Sequence, residues 1–235
     1  MSWAPVSLDA GASRAEQLRE VLVFLFLIAP SMGLSFFAIR QGTLSFQLTA
    51  SATILRDLGL VGLIVFFLWR NREPMERIGW TFANGWRDAM LGIVLFMLMS
   101  YATAALEKIL KDAGFTAPAT PLPHSLTAGN PAEFVLAGVL VIVVAIAEEI
   151  IFRGYLILRL RTITGSTLFA ATLSAIIFSL GHGYEGTAGV IVVGFMGLFF
   201  AFAYLSRKSL VAPIVMHFLQ DFTGIVVVPL LKHRS

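Results

Sequence analysis

The chain has 235 residues, of which 57% are hydrophobic and only 13% are charged, and its net charge at pH 7 is +3. A typical soluble domain carries about a quarter charged residues, so this composition excludes an ordinary soluble fold and predicts an all-α, polytopic membrane helix bundle. The absence of cysteine excludes disulfides, thiolate metal ligands and a cysteine nucleophile. Basic residues sit at the ends of apolar stretches instead of forming one basic face, which argues against nucleic acid as a partner.

Apolar stretches of about 20 residues predict membrane-spanning helices, and about seven such stretches follow one another along the chain. They cover residues 21–39, 46–69, 89–107, 133–158, 167–183, 188–206 and 210–231. We expect six to eight spans in a single integral-membrane domain, 1–235, whose first span is retained and not cleaved as a signal peptide. The second stretch contains Arg56 and Asp57. It is therefore either one span with an internal ion pair or a re-entrant turn before a shorter helix.

The connections between these stretches predict the orientation in the membrane. Residues 70–88 carry four arginines, and residues 159–166 and 206–209 each carry two basic residues. These three connections share one side if the spans alternate, and basic connections mark the cytoplasmic side. We therefore expect the N-terminus inside and the C-terminus outside, or the N-terminus alone on the other side if the second stretch is not a full span. The short, basic connections favour a multi-pass protein of a prokaryotic cell membrane.

Ionisable residues inside three of the spans indicate a functional site, because burying a charge in the bilayer costs from about 2.5 to more than 10 kcal/mol. These residues are Glu148, Glu149, Arg153, His182, His217 and Asp221. At about 1.5 Å per residue, Glu148 lies roughly 16 Å, His182 roughly 22 Å and His217 roughly 10 Å from the basic side. Three separate helices thus place polar groups at similar depth, which predicts one intramembrane site.

The residue types restrict the chemistry of this site. Glu149 and Arg153 are four residues apart and can pair on one helix face, as can His217 and Asp221. A buried glutamate can act as general base for water. Two imidazoles can polarise a carbonyl, or bind a divalent metal such as Zn²⁺ with carboxylate ligands, in which case Glu148, His182, His217 and Asp221 form the donor set. The chain lacks the zinc signature H-E-x-x-H and a serine nucleophile elbow, which favours hydrolysis by water.

Three motifs in this region resemble those of a known family. The segment "EEIIFR" (148–153) matches E-E-x-x-x-R, "FSLGH" (178–182) matches F-x-x-x-H, and "HFLQD" (217–221) matches H-x-x-x-N/D. Their order on successive membrane helices is similar to that of the CAAX-protease and bacteriocin-processing family, also called the abortive-infection family. The resemblance covers residues from about 130 to 225, which would be the catalytic core.

The resemblance implies an intramembrane endopeptidase that cleaves a membrane-associated or lipidated peptide, such as a prenylated CAAX protein, in a conical cavity open to the cytoplasm. Carried over by position, Glu148 would activate water with help from His182, and His217 with Asp221 would face the scissile carbonyl. Glu149 and Arg153 would shape the site. CAAX-cleaving relatives have asparagine where this chain has Asp221. An ionised aspartate would repel an oxyanion, so Asp221 must be protonated, hold the His217 ring or help bind a cation.

Two other function classes fit the same residues. An immunity or scaffold protein would hold a peptide in the cavity without cleaving it. A proton-coupled transporter also needs buried Glu, His and Asp side chains, although the chain shows no inverted repeat. Membrane lipid is a partner in every case.

Overall fold

The computed structural model of the protein describes residues 12–37, 44–116 and 126–234, and within these ranges it contains helices and no strand. The helices are α1 (Arg14–Ser35), α2 (Phe46–Arg70), α3 (Gly85–Asp112), α4 (Pro131–Thr164), α5 (Thr167–Leu180), α6 (Gly186–Arg207) and α7, which begins at Val211 and runs to Arg234. Short 3-10 turns, Met75–Ile78 and Gly183–Glu185, precede α3 and α6. The predicted all-α bundle is confirmed.

Six of these helical runs are long and apolar enough to cross a membrane, within the predicted range of six to eight. The exception among the described helices is α5, which has 14 residues and is therefore only about 21 Å long, against a hydrocarbon core of about 30 Å. Large apolar side chains point outward around the bundle, for example Phe26 and Leu168, each 78% exposed. Such a surface is suited to lipid, and the protein is an integral membrane protein.

The uncertain second stretch forms one continuous helix, α2, of 25 residues. Ser45 caps its first turn by accepting a hydrogen bond from the Leu48 N–H. Arg56 and Asp57 pair side by side within the helix, with Nε and Oδ1 2.9 Å apart. The interpretation as a span with an internal ion pair is therefore correct, and the re-entrant turn is wrong.

The three basic connections lie at the same end of the bundle, as alternation of the spans predicts. Glu20, near the start of α1, accepts hydrogen bonds from Arg70 at the end of α2 and from Arg159 near the end of α4, at 2.6 and 3.1 Å. Arg207, at the end of α6, donates to Asp88 at the start of α3 over 2.7 Å. We call this end, with connections 70–88, 159–166 and 206–209, the basic end.

The other end of the bundle brings together the remaining connections. The Ser35 hydroxyl, at the end of α1, lies within hydrogen-bond distance of the Leu180 carbonyl and of the Gly183 N–H. Thr116, beyond the end of α3, pairs with Thr187 at the start of α6. These contacts fix the relative direction of α1, α3, α5 and α6.

The packing of α3 against α7 depends on a glycine. A Cβ built on Gly92 would lie 2.6 Å from the Ala212 carbonyl oxygen and 3.0 Å from the Val215 Cβ. A backbone oxygen cannot move aside cheaply, so the two helices can approach this closely only with glycine at position 92.

Replacing Gly92 with alanine is expected to destabilise the protein by about 1–3 kcal/mol through overpacking. For a chain of this size, that corresponds to a fall in Tm of roughly 2–12 °C in detergent. Gly62→Ala is the matched control, because Gly62 lies in the interior of α2 with no atom within 4 Å of the added Cβ. Helix propensity alone should leave that control equal to the parent or more stable by up to about 1 kcal/mol. Equal Tm values for the two variants would contradict the packing argument.

Candidate active site

The pitch of α4 changes at the two glutamates. The α-helix ends at Glu148, and residues Glu149–Leu156 form a π-helix before the α-helix resumes at Ile157. Ser174 of α5 donates a hydrogen bond of 2.7 Å to the Phe152 carbonyl inside this segment. A second π-helix, Phe222–Val227, directly follows Asp221 in α7. Both π segments thus begin immediately after a carboxylate of the predicted site. Segments of this kind are frequent at functional sites.

A cavity of about 370 Å³ lies between α1, α2, α4, α5 and α7. Four of the six predicted site residues line it: Glu148, His182, His217 and Asp221. Glu149 and Arg153 lie outside its lining and are buried, with 0% and 1% of their surface exposed. The structure therefore divides the predicted set into a cavity-facing group and a pair behind it.

His217 is held in place by the buried pair. Its Nδ1 lies 2.8 Å from Glu149 Oε1, and since a carboxylate only accepts, Nδ1 carries the proton of this hydrogen bond. The ring stacks on Phe200 and meets the edge of Phe178, with centroids 5.2 and 5.8 Å apart. Nε2 then faces the cavity carboxylates, 3.8 Å from Glu148 Oε2 and 3.4 Å from Asp221 Oδ2.

Arg153 balances the charge of Glu149. Its Nη1 donates to the same Glu149 Oε1 over 2.8 Å, and Nη2 donates to the Gly197 carbonyl at 3.4 Å. The guanidinium lies between the rings of Phe178 and Phe200, 4.3 and 4.8 Å from their centroids. Arg153 is thus surrounded by aromatic faces and one carboxylate. Because that carboxylate also contacts His217, Arg153 is part of the support behind His217.

His182 is oriented by its own helix end. Its Nδ1 lies 3.2 Å from the Phe178 carbonyl, which only accepts, so this nitrogen carries the proton. The motif F-x-x-x-H thus spans one turn, in which the phenylalanine carbonyl fixes the imidazole and the phenylalanine ring packs against Arg153. In both histidines the Nδ1–H is occupied, which leaves Nε2 for a second interaction.

Residues of α2 complete the site, and the sequence did not assign them to it. Arg56 Nη2 lies 3.8 Å from Glu148 Oε1, and Asp57, 1% exposed, also lines the cavity. Tyr184 lines it as well, with its ring 5.8 Å from that of His182. The charges of Arg56 and Asp57 inside an apolar stretch were the available signal, but nothing in the sequence placed α2 beside α4.

The four cavity residues were predicted as possible ligands of a divalent metal, and their geometry bears on that prediction. Within the described ranges, no group of three or more His, Asp or Glu side chains is arranged to hold a metal ion. The predicted donor set of Glu148, His182, His217 and Asp221 is therefore not assembled as a metal site in this structure.

The position of the cavity shows that two predictions about orientation cannot both hold. Its lining includes Leu44 and Leu126, in connections at the end opposite the basic end, and Ser35 at the end of α1. The cavity and the basic connections consequently lie at opposite ends of the bundle. The expectations of cytoplasmic basic connections and of a cytoplasm-facing cavity are therefore incompatible.

Comparison with protein families supports the motif assignment. Residues 130–223 match the family model described as Type II CAAX prenyl endopeptidase Rce1-like. This segment is Rce1-like. The match confirms the resemblance predicted from the three motifs. No curated protein and no solved structure gave a significant match. The Rce1-like segment contains α4, α5, α6 and the part of α7 up to Thr223, and so supplies Glu148, His182, His217 and Asp221. The cavity wall formed by α1 and α2 lies outside it.

Proposed function

We propose that this protein is an intramembrane endopeptidase of the CAAX type, which hydrolyses a peptide bond in a membrane-associated or lipidated peptide with water activated by Glu148. One observation carries the proposal. The Glu148 carboxylate lines a cavity inside the membrane bundle, and its Oε2 makes no hydrogen bond to the described residues while it faces an oriented imidazole. Its placement in the Rce1-like segment supports peptide hydrolysis.

In the proposed reaction, Glu148 takes a proton from water as the water oxygen attacks the scissile carbonyl carbon. The carbonyl π bond opens to a tetrahedral oxyanion. When this intermediate collapses, the carbon–nitrogen bond breaks, and Glu148 returns the proton to the leaving nitrogen. The products are a new carboxylic acid and a new amine, and no covalent enzyme intermediate is required.

The two histidines have different tasks in this scheme. His182 helps Glu148 to orient the water, and the His217 ring faces the carbonyl oxygen. Asp221 lies 3.4 Å from His217 Nε2, a distance that favours the hypothesis in which it holds the ring. A doubly protonated His217 then contacts Glu149 through Nδ1 and presents a positive charge to the developing oxyanion.

The cavity suits an apolar substrate with a cleavable peptide segment. Its walls include aliphatic side chains of α1, α2 and α4, such as Ile28, Leu60 and Leu140, around the few polar groups. A volume of about 370 Å³ falls within the range of about 300–1,000 Å³ that small ligands occupy. This lining favours peptides that carry a prenyl group or apolar side chains. The assignment to a prokaryotic membrane stays a prediction.

The function can be tested with a farnesylated CAAX peptide and the purified protein in detergent. We expect release of the C-terminal tripeptide, identified by mass spectrometry, and a loss of about 10²–10⁴-fold in rate for His182→Ala. His233→Ala is the matched control, because this residue lies 12 positions beyond Asp221 at the end of the chain. Binding of the peptide without any cleavage would contradict an endopeptidase and favour a peptide-holding protein.

A further inference from the structure

The mouth of the cavity is formed by chain segments from one end of the bundle. The lining takes Ser31, Met32 and Ser35 from the last turns of α1 and Thr49 and Thr53 from the first turns of α2. Of the described residues in the connections at the same end, Leu44, Leu126, Gly181 and Tyr184 also line it. These segments all lie at the end opposite the basic end.

The short helix α5 explains why the cavity reaches the site from this end. It starts at Thr167, at the basic end, and stops at Leu180 after about 21 Å. The turn that carries His182 therefore lies roughly 9 Å below the far surface of a hydrocarbon core of about 30 Å. A full-length helix at this position would occupy the space above His182.

Among the described residues, buried apolar side chains pack between the basic end and the site. Phe24, Ile64, Tyr155 and Leu156 are each 0% exposed and belong to one hydrophobic cluster. Tyr155 also donates to Glu20 Oε2 over 2.9 Å, which joins this packing to the ion pairs at the basic end. A substrate entering from that side would have to displace both layers.

The distribution of basic residues assigns the two ends to the two sides of the membrane. The basic end carries ten of the chain's 17 basic residues: Arg14, Arg19, Arg70, Arg72, Arg77, Arg87, Arg159, Arg161, Arg207 and Lys208. By sequence, the cavity end carries five: Arg40, Lys108, Lys111, Lys232 and Arg234. Since Lys and Arg in short connections are enriched on the cytoplasmic side, the basic end is the cytoplasmic one.

We infer that the cavity opens to the non-cytoplasmic side, and that the substrate is a membrane-anchored peptide whose scissile segment lies on that side. The orientation stands on the charge distribution and the cavity position. That the chain cleaves this peptide rests on the proposed function. The consequence is that a protein tail confined to the cytoplasm does not reach Glu148 in this chain.

The absence of cysteine allows a direct test of the orientation. Ala83 and Ala113 are exposed alanines that bracket α3 at the basic end and the cavity end. Each is replaced by cysteine in the full chain, and intact cells are treated with a membrane-impermeant maleimide before and after permeabilisation. We expect Ala113→Cys to react in intact cells and Ala83→Cys to react only after permeabilisation. The cysteine-free parent measures background labelling.

The reverse pattern, or equal labelling of both variants in intact cells, would overturn the inferred orientation. Neither result depends on peptidase activity, so this test remains decisive if the proposed function fails.

A third variant, Leu44→Cys, tests entry of the substrate through the mouth, since Leu44 lines the cavity and is 52% exposed. Attaching a bulky impermeant maleimide should reduce peptide cleavage by at least tenfold relative to the same variant before labelling. Labelled Ala113→Cys, outside the cavity lining, controls for the reagent. Undiminished cleavage after complete labelling of Leu44→Cys would overturn entry by this route.

Discussion

Replacing Glu148 with glutamine is expected to lower the rate of peptide hydrolysis by about 10²–10⁴-fold, because an amide cannot accept the proton of the attacking water. Stability should change little. The Glu148 carboxylate makes only long contacts, at 3.8 Å to both Arg56 and His217, so the substitution removes no short hydrogen bond. Peptide cleavage and Tm, measured on the same preparation, test both statements.

Glu107→Gln is the control for this substitution. Glu107 is half-exposed on α3 and pairs with Lys111 at the surface, so the same chemical change there should leave cleavage unaltered. Binding of uncleaved peptide to Glu148→Gln should persist, since the apolar walls remain. Full turnover by Glu148→Gln would show that another group activates the water, whereas lost binding would assign Glu148 to peptide recognition.

Replacing Arg153 with methionine is expected to have the largest effect on folding, with a loss of about 3–5 kcal/mol in the free energy of unfolding. The substitution leaves the buried Glu149 carboxylate without its guanidinium and with only the hydrogen bond from His217 Nδ1, and the aromatic faces of Phe178 and Phe200 cannot replace the lost charge. At about 2–4 °C per kcal/mol for a chain of this length, Tm should fall by roughly 6–20 °C.

Two further variants separate the lost pair from the lost side chain. Arg87→Met changes an exposed arginine on α3 and should leave Tm within about 2 °C of the parent. The double variant Glu149→Gln with Arg153→Met removes both charges and should recover most of the stability. If Arg153→Met kept its Tm but lost activity, Arg153 would act in the chemistry, and its role as a support for His217 would be wrong.

The helices were predictable because their signals are local. Long apolar stretches, Ser45 before α2 and Asn130 before Pro131 specify helix starts whatever surrounds them. The three motifs were equally visible, since charged and polar groups stand out against apolar sequence. Their depth, counted along each helix, predicted one site, and in the structure Glu148, His182, His217 and Asp221 line one cavity. The assignment of catalytic roles to them stays a prediction.

The sequence predicts different roles for Glu148 and Glu149, but it does not predict the structural basis of that difference. Regular α-helical spacing separates adjacent residues by about 100°, yet the turn after Glu148 is a π-helix. That widened turn depends on contacts across the bundle, such as Ser174 with the Phe152 carbonyl, which a single segment does not specify. The position of Arg56 beside Glu148 also depends on contacts across the bundle, because it requires α2 to pack beside α4.

The sequence by itself determined that this protein spans the membrane as a helix bundle, which end carries the basic connections, and which three motifs it shares with the Rce1-like family. Composition and spacing along one helix are enough for each of these. Only the tertiary structure decided that Glu149 and Arg153 lie behind His217, that α2 contributes to the cavity, and that the cavity opens away from the basic end. Each of these depends on which faces of different helices meet, and therefore on packing between residues distant in the chain.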